Sequence, residues 1–161
     1  MGRLSPDFYV MDGVVPRTKL PETLAKIDAI SARTGYKICN VFHAGDGNLH
    51  PLVLFDAFKP GQYEAVLRIG DEILKLCADA GGSVTGEHGI GLEKRENIRY
   101  VFSDDDLEVM DRIRHVFDPL GLMNPGKVFP TDASESSAPL KPANPAQRRA
   151  AAVAGGDEIW V

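Results

Sequence analysis

The sequence is short of three features that mark particular functional classes: cysteine, excess basic charge and long apolar runs. Its 161 residues include two cysteines, Cys39 and Cys77, too few and too far apart for a disulfide framework or a thiolate metal cage. With 18 Lys and Arg against 23 Asp and Glu, the net charge of −5 disfavours a sequence-independent nucleic-acid binder, which needs basic residues to neutralise phosphates. No apolar run approaches the roughly 20 residues of a membrane span, and the first residues lack the hydrophobic stretch of a signal peptide. We therefore expect a soluble, cytoplasmic protein.

The composition divides the chain in two. After Pro130 the sequence is mostly Ala, Pro, Ser and small polar residues without helical or strand periodicity. Such a segment buries too little apolar surface to offset the entropy lost on ordering it. We expect a functional domain over residues 1–130 and a disordered tail over residues 131–161.

Hydrophobic periodicity and turn signals predict the elements of the domain. A helix beginning near Pro21 and ending at Thr34-Gly35 follows the first strand, and a capping residue at Ser103 begins a last helix. The predicted strands are Phe8–Val15, Tyr36–Ala44, Leu49–Phe55 and a short Gly82–Thr85, with a strongly amphipathic helix from Tyr63 to Cys77. This β-α-β-β-α-β order predicts an α+β fold: a ferredoxin-like, cap-type antiparallel sheet with helices on one face, followed by a small helical carboxy-terminal segment.

Two histidines, His43 and His50, flank a turn-forming segment. Asp46-Gly47 is a strong signal for a two-residue hairpin, whose central positions need positive φ. A hairpin there pairs His43 with His50, and a longer glycine-rich loop is expected to keep that register. Opposed residues share a face, with Cβ atoms about 4.5–5.5 Å apart. The two imidazoles can therefore converge on one cation, such as zinc.

A second glycine-rich segment, Thr85–Gly91, offers a carboxylate at Glu87 and an imidazole at His88. Two histidines and one carboxylate, with open coordination positions, suit a catalytic site for zinc or a neighbouring first-row metal. His88 can act as a further ligand or as a general base, since histidine ordinarily titrates at about pH 6.5.

The same residues have a structural interpretation. Asp-Gly and Gly-Asn are ordinary turn residues, and a cross-strand histidine pair can lie on a solvated face. We expect Cys39 and Cys77 to be core thiols, His115 to lie at the surface or a helix end, and the mixed-charge run Glu93–Glu96 to form a solvated face.

Three motifs, in order, resemble the carboxy-terminal region of the FAD-linked oxidases. They are H-A-G-D-G-N-L-H-P from His43, G-G-S-V-T-G-E-H-G-I-G from Gly81 and L-M-N-P-G-K-V-F-P from Leu122. The resemblance runs from about Asp7 to Pro130. The family members that the sequence resembles most are the glycolate oxidase D subunits, the D-lactate dehydrogenases and the D-2-hydroxyglutarate dehydrogenases, within the vanillyl-alcohol oxidase superfamily.

The resemblance implies roles for particular residues. His43, His50 and Glu87 would hold a divalent metal, usually zinc, and His88 would deprotonate the substrate's 2-hydroxyl group. Hydride would pass from C2 of a small 2-hydroxyacid to FAD. The other implied contacts are Asn48 with the substrate, Arg17 or Lys19 with its acidic group, and Asn124 with the flavin.

The amino-terminal FAD-binding domain of that family has no counterpart here. The glycines Gly81-Gly82 follow a helix rather than a strand, unlike a dinucleotide-binding fingerprint. We therefore expect a partial enzyme, either a truncated fragment or one half of a split enzyme, whose FAD is largely held by a missing amino-terminal domain. A separate FAD-binding half or other oxidase subunits are the expected partners. A non-catalytic metal- or partner-binding remnant and a metal-dependent hydrolase remain alternatives.

Overall fold

A computed structural model describes residues 2–130 of the chain. The tail predicted over residues 131–161 lies outside the described residues. The strands are β1 (Asp7–Val10), β2 (Gly13–Val14), β3 (Ile38–His43) and β4 (Asn48–Phe55). The helices are α1 (Leu20–Thr34), α2 (Gln62–Asp79) and α3 (Asp104–Phe117), with short 3-10 helices at Arg17–Lys19 and Asn97–Tyr100. The chain is α+β, as the sequence predicts.

The four strands form one antiparallel sheet with β4 at its centre. β1 and β2 pair with one edge of β4, and β3 pairs with the other. The predicted strand at Gly82–Thr85 is reduced to a single bridge, in which Ser83 pairs with Val14. That bridge lies beyond β2, so the order across the sheet still follows a ferredoxin-like arrangement.

The predicted strand Phe8–Val15 is interrupted at Met11 and Asp12. The register continues unchanged across the gap, since Val10 pairs with Leu52 and Gly13 pairs with Leu49. Met11 still donates its N–H to the carbonyl of Pro51 at 3.1 Å, but proline has no N–H to return. The ladder therefore breaks opposite Pro51, and Asp12 lies outside regular strand geometry.

The hydrophobic core lies between one face of the sheet and the two helices α1 and α2. Its fully or nearly fully buried members include Leu49, Val53, Ile27, Ile73 and Met11. Burying apolar side chains of this kind is the main driving force of folding. The helices therefore cover one sheet face, and the face that carries the even-numbered residues of β4 is left for the polar site described below.

Local signals define the helix ends correctly. α1 carries Pro21 in its first turn and ends at Gly35, whose φ of 76° gives a left-handed cap. Ser103 caps α3 through a reciprocal capping box with Asp106. These ends are encoded within a few residues, which is why sequence inspection finds them.

α3 is less buried than its apolar pattern indicates. Leu107 is its one buried residue, whereas Val116 and Phe117 are 75% and 76% exposed. His115 is exposed, as expected.

None of the helices within residues 2–130 combines the length and apolar character needed to cross a membrane.

The two cysteines differ in accessibility. Cys77 is a core thiol, as predicted, and burial raises its pKa to about 12, while Cys39 is only half-buried. Burial therefore disfavours the Cys77 thiolate, and only the thiolate attacks disulfides.

We predict that an aromatic disulfide reagent at pH 8 modifies one thiol of the native chain within minutes and the second only after unfolding. Absorbance of the released thiolate measures both phases. Cys39→Ser should abolish the fast phase. Two equally fast thiols in the native chain would contradict the burial of Cys77.

Candidate metal and substrate site

The hairpin that carries His43 and His50 has a different register from the predicted one. His43 pairs with Asn48, and His50 pairs with Val41. The connection is a four-residue turn rather than two, closed by N–H groups of Asp46 and Gly47 that both donate to the His43 carbonyl. The predicted 43:50 pairing is therefore wrong by two residues, because the loop closes around a single positive-φ glycine, Gly47.

The two histidines nevertheless share a face of the sheet. A shift of two residues preserves the face on which each side chain lies, whereas a shift of one would reverse it. His43 and His50 are diagonal neighbours, with ring centroids 5.5 Å apart and rings perpendicular. The two rings are therefore neighbours on one face of the sheet, although the predicted pairing is not observed.

The Glu87 carboxylate lies close to three histidines. Its Oε1 lies 3.1 Å from Nε2 of His50, 3.6 Å from Nε2 of His88 and 3.8 Å from Nε2 of His43. Two ligand atoms that each lie about 2.1 Å from a tetrahedral zinc ion are roughly 3.4 Å apart. The three distances from Glu87 Oε1 to the imidazole nitrogens are therefore close to the spacing of ligands that share one cation.

The imidazoles differ in exposure. His50 is buried on β4, its side chain 10% exposed, while His43, Glu87 and His88 are about half exposed. His88 stacks on His50 with ring centroids 5.0 Å apart. In this cluster of His43, His50, Glu87 and His88, the side at His50 is therefore buried against the sheet, and the side at the other three residues is open.

Asp12 holds the glycine-rich loop that carries Glu87. Its carboxylate is fully buried, and Oδ2 accepts hydrogen bonds from the Thr85 hydroxyl at 2.7 Å and from consecutive backbone N–H groups. Those N–H groups belong to Gly86 at 3.0 Å, Glu87 at 3.2 Å and His88 at 2.9 Å. Successive N–H groups that point inward in this way form an anion-binding concavity. Here the anion is the protein's own aspartate.

Lys94 also contacts the Asp12 residue that holds the loop. Its Nζ lies 3.4 Å from both Oδ2 and the carbonyl oxygen of Asp12. The prediction that Glu93–Glu96 is a solvated face is wrong for Lys94, which is 7% exposed, because the buried carboxylate attracts the ammonium group.

The carboxylate of Asp12 is stabilised in its charged form. Burial alone would raise its pKa, but the hydrogen bonds from Thr85, His88 and Gly86, together with the Lys94 charge, hold the pKa below its usual range. Burial lowers the pKa of Lys94, with the Asp12 charge opposing it.

Asn48 lies beside the cluster with an unused acceptor. The residue is 6% exposed, and its Oδ1 has no hydrogen-bond partner among the described residues. Its amide packs flat against the loop, since a Cβ atom at Gly86 would lie 2.7 Å from Nδ2 of Asn48. The glycine is required by this close approach.

Arg17 and Lys19 follow β2 on a short exposed 3-10 helix. Lys19 pairs with Glu22 at 3.2 Å, whereas Arg17 has no side-chain partner within residues 2–130. The backbone of Arg17 lies beside Gly47 of the histidine hairpin, where a Cβ atom would be 3.7 Å from the Arg17 nitrogen. The backbone of this 3-10 helix therefore adjoins the histidine hairpin.

Asn124 lies in the turn after α3, with a positive φ of 48°. Its Oδ1 accepts from Lys127 at 3.2 Å, and its carbonyl accepts from Arg114 at 3.0 Å. The same segment returns toward the site, because Val128 donates its N–H to the Gly91 carbonyl at 2.9 Å.

The donors that could share a metal ion form two overlapping sets. The ligand atoms of Asp12, His50, Glu87 and His88 all lie within 4.8 Å of one another, a set that does not include His43. The set predicted from the sequence is His43, His50 and Glu87. Oδ2 of Asp12 is already occupied by loop donors, so Asp12 suits a supporting role better than a coordinating one. His50 and Glu87 belong to both sets.

Asp12 and Lys94 are the site residues that sequence reasoning missed or misassigned. A signal for Asp12 is present: in the register of β1 and β2 with β4, residue 12 falls opposite residue 50. An acidic residue within an otherwise apolar strand, opposite a candidate ligand, is a specific clue. No comparable local signal exists for Lys94.

Comparison with known proteins identifies the domain. The family model described as FAD linked oxidases, C-terminal domain, matches residues 1–128. The glycolate oxidase subunit GlcD of Escherichia coli strain K12 is 48% identical over 131 residues, which cover 81% of this chain and 26% of the relative.

Two further relatives cover a similar region. GlcD of Bacillus subtilis strain 168 is 35% identical over 133 residues, covering 83% of this chain and 28% of the relative. The D-2-hydroxyglutarate dehydrogenase of Stutzerimonas stutzeri is 36% identical over 134 residues, covering 75% and 27%. The chain spans about a quarter of the length of these relatives. It belongs to the FAD-linked oxidase family, of which it contains the carboxy-terminal domain.

Proposed function

We propose that the chain is the substrate- and metal-binding part of an FAD-dependent 2-hydroxyacid oxidoreductase of the glycolate or D-lactate type. The observation that carries the proposal is the meeting of three imidazole nitrogens at one oxygen of Glu87. The relatives support the substrate class, since their names include glycolate oxidase subunits and D-lactate dehydrogenases. Which acid is oxidised depends on the whole enzyme.

His43, His50 and Glu87 are the proposed ligands of a divalent metal, with zinc the best candidate. Imidazole nitrogen and carboxylate oxygen are donors that zinc accepts, and three protein ligands leave positions open for substrate. The metal would act as a Lewis acid toward the hydroxyl and carboxylate oxygens of the acid. His50 fixes the inner side of this site, and Glu87 and His43 close it from the loop and from β3.

His88 is the proposed general base. It is half exposed beside Glu87, so a substrate in the site can reach its imidazole. His88 would accept the proton of the 2-hydroxyl group as the C2 hydrogen leaves with its electron pair. The flavin, when bound, supplies the acceptor for that hydride.

Asn48 and Arg17 are the proposed substrate contacts. The free Oδ1 of buried Asn48 can accept a hydrogen bond from the substrate hydroxyl, which removes an unsatisfied polar atom. The planar guanidinium of Arg17 can grip a carboxylate through two hydrogen bonds. Lys19 is a weaker choice because Glu22 already pairs with it.

We predict that His43→Ala and Glu87→Ala each lower zinc affinity more than about 100-fold, beyond the range typical of supporting residues. Competition with a chelating dye measures the affinity, and circular dichroism monitors the fold. His115→Ala is the matched control, since it removes an exposed imidazole from α3. Unchanged affinity in either ligand variant would refute this ligand set.

The flavin would come from the remainder of the oxidase, which we call the flavin-carrying part, either on the same polypeptide or on a separate one. Asn124 is the proposed residue of this chain nearest the flavin. We propose that the flavin-carrying part covers the apolar face of α3, formed by Val109, Ile113, Val116 and Phe117. These residues are 53–76% exposed, and large contiguous apolar surfaces of this kind mark interaction sites.

Two other occupants of this face are less favourable. A second copy would bring two acidic helices together, because α3 carries five acidic residues against two arginines. Residues 131–161 contain few large apolar side chains, namely Leu140, Val153, Ile159, Trp160 and Val161. The match to the carboxy-terminal domain of FAD-linked oxidases favours the flavin-carrying part as the occupant of this face.

A chimera tests this interface. Residues 1–130 would replace the matched segment of the E. coli GlcD subunit. We predict that the chimera retains FAD and that Ile113→Asp with Val116→Asp lowers its flavin content several-fold, measured by visible absorbance. Leu4→Asp, at another exposed apolar position, is the control. A double variant as yellow as the chimera, or a chimera without flavin, would overturn the proposed interface.

The expected cytoplasmic location stays a prediction.

A further inference from the structure

Val41 lies next to the histidine cluster on the same face of the sheet. It pairs directly with His50 in the register of β3 with β4. Directly opposed residues point to the same face, with Cβ atoms about 4.5–5.5 Å apart, and so do residues two apart on one strand. Val41 therefore shares its face with both His50 and His43. Its side chain is open to solvent, since the residue is 55% exposed.

The sheet face becomes apolar beyond His50. The pair that follows Val41 and His50, away from the turn, is Cys39 with Leu52. Val10 of β1 pairs with Leu52 on the other side. Leu52 is buried, and Cys39 and Val10 are half-buried. Val41 is therefore the most exposed member of an apolar patch, formed by these four side chains other than His50, that adjoins the cluster.

The opposite end of the site is polar. Asn48 pairs with His43 at the turn, and its Oδ1 has no hydrogen-bond partner among residues 2–130. The backbone of Arg17 adjoins Gly47 within the same turn. A 2-hydroxyacid has a matching polarity, because its carboxylate and hydroxyl groups lie at one end and its side chain at the other. An acid bound at the cluster with its oxygens toward Asn48 directs its side chain toward Val41.

We propose that Val41 is a specificity-determining residue, which favours 2-hydroxyacids with a short neutral side chain over those with a second carboxylate. A neutral side chain removes apolar surface from water when it packs on Val41 and the patch. A carboxylate in the same place loses hydration, and the four side chains of the patch carry no charge to compensate it. The inference rests on the proposed function and deepens it, since it names the part of the substrate that this chain selects.

The adjacent residue of β3 provides a matched control. Phe42 is 42% exposed and pairs with Leu49, so its side chain lies on the other face of the strand. Val41→Lys and Phe42→Lys add the same charge to the same strand, and the first alone places it beside the cluster. Because both variants attract anions in general, the ratio of two affinities measures specificity better than either affinity does.

The measurement uses the full chain loaded with zinc and two probes, D-lactate and D-2-hydroxyglutarate. Titrations followed by NMR chemical shifts give the two dissociation constants. We expect the wild type to bind D-lactate more tightly, and Val41→Lys to shift the affinity ratio toward D-2-hydroxyglutarate by about five-fold, the upper end for an exposed ion pair. Phe42→Lys should leave the ratio unchanged. In the wild type, the methyl protons of D-lactate should show nuclear Overhauser effects to the Val41 methyl groups.

Failure of the role of Val41 and failure of the proposed function give different results. A chain that binds zinc and both acids, with a ratio that Val41→Lys and Phe42→Lys change equally, overturns the role of Val41 and leaves the metal site intact. Nuclear Overhauser effects from D-lactate to other methyl groups but not to Val41 overturn it as well, and this result does not require either variant to fold. A chain that binds neither zinc nor acid overturns the proposed function together with the inference that rests on it.

Discussion

The buried carboxylate of Asp12 is the interaction on which the rest of the site depends. The loop that carries Glu87 and His88 is rich in glycine, so it has high backbone entropy and few side chains to anchor it. Three consecutive N–H groups and a hydroxyl instead converge on one carboxylate. Breaking a buried ion pair by removing one partner typically costs about 3–5 kcal/mol. The backbone that carries Glu87 and His88 is thus fixed through one shared carboxylate.

The point of attachment lies at an interruption in the sheet. Pro51 lies in the central strand, where proline is unusual because it cannot donate to the ladder. The paired edge is interrupted opposite Pro51, at Met11 and Asp12, without a change of register. Asp12 is therefore held beside His50 by strands on either side, yet its carbonyl remains available to Lys94. A continuous strand would provide the same alignment but less freedom for that residue.

The sequence encodes the local features of this protein better than the distant ones. Helix ends at Gly35 and Ser103 are predictable because a cap needs only neighbouring residues. The shared face of His43 and His50 is predictable because even register shifts preserve it, whereas the register itself depends on how the turn closes. The burial of Lys94 is not predictable, since its partner Asp12 lies 82 residues away in sequence and no periodic pattern records such a contact.

The segment that follows α3 links that helix to the glycine-rich loop. The segment after α3 bonds to the glycine-rich loop, through Val128 to Gly91, and Arg95 bonds to Gly126. Exclusion of water from the reacting groups would favour hydride transfer on the proposed function, and Glu87 and His88 are half exposed in residues 2–130. On the proposed function, a flavin-carrying part that covers α3 reaches the cluster through this connected segment. Docking of that part and closure of the site would then be one event, so that the metal, the base and the flavin become enclosed together.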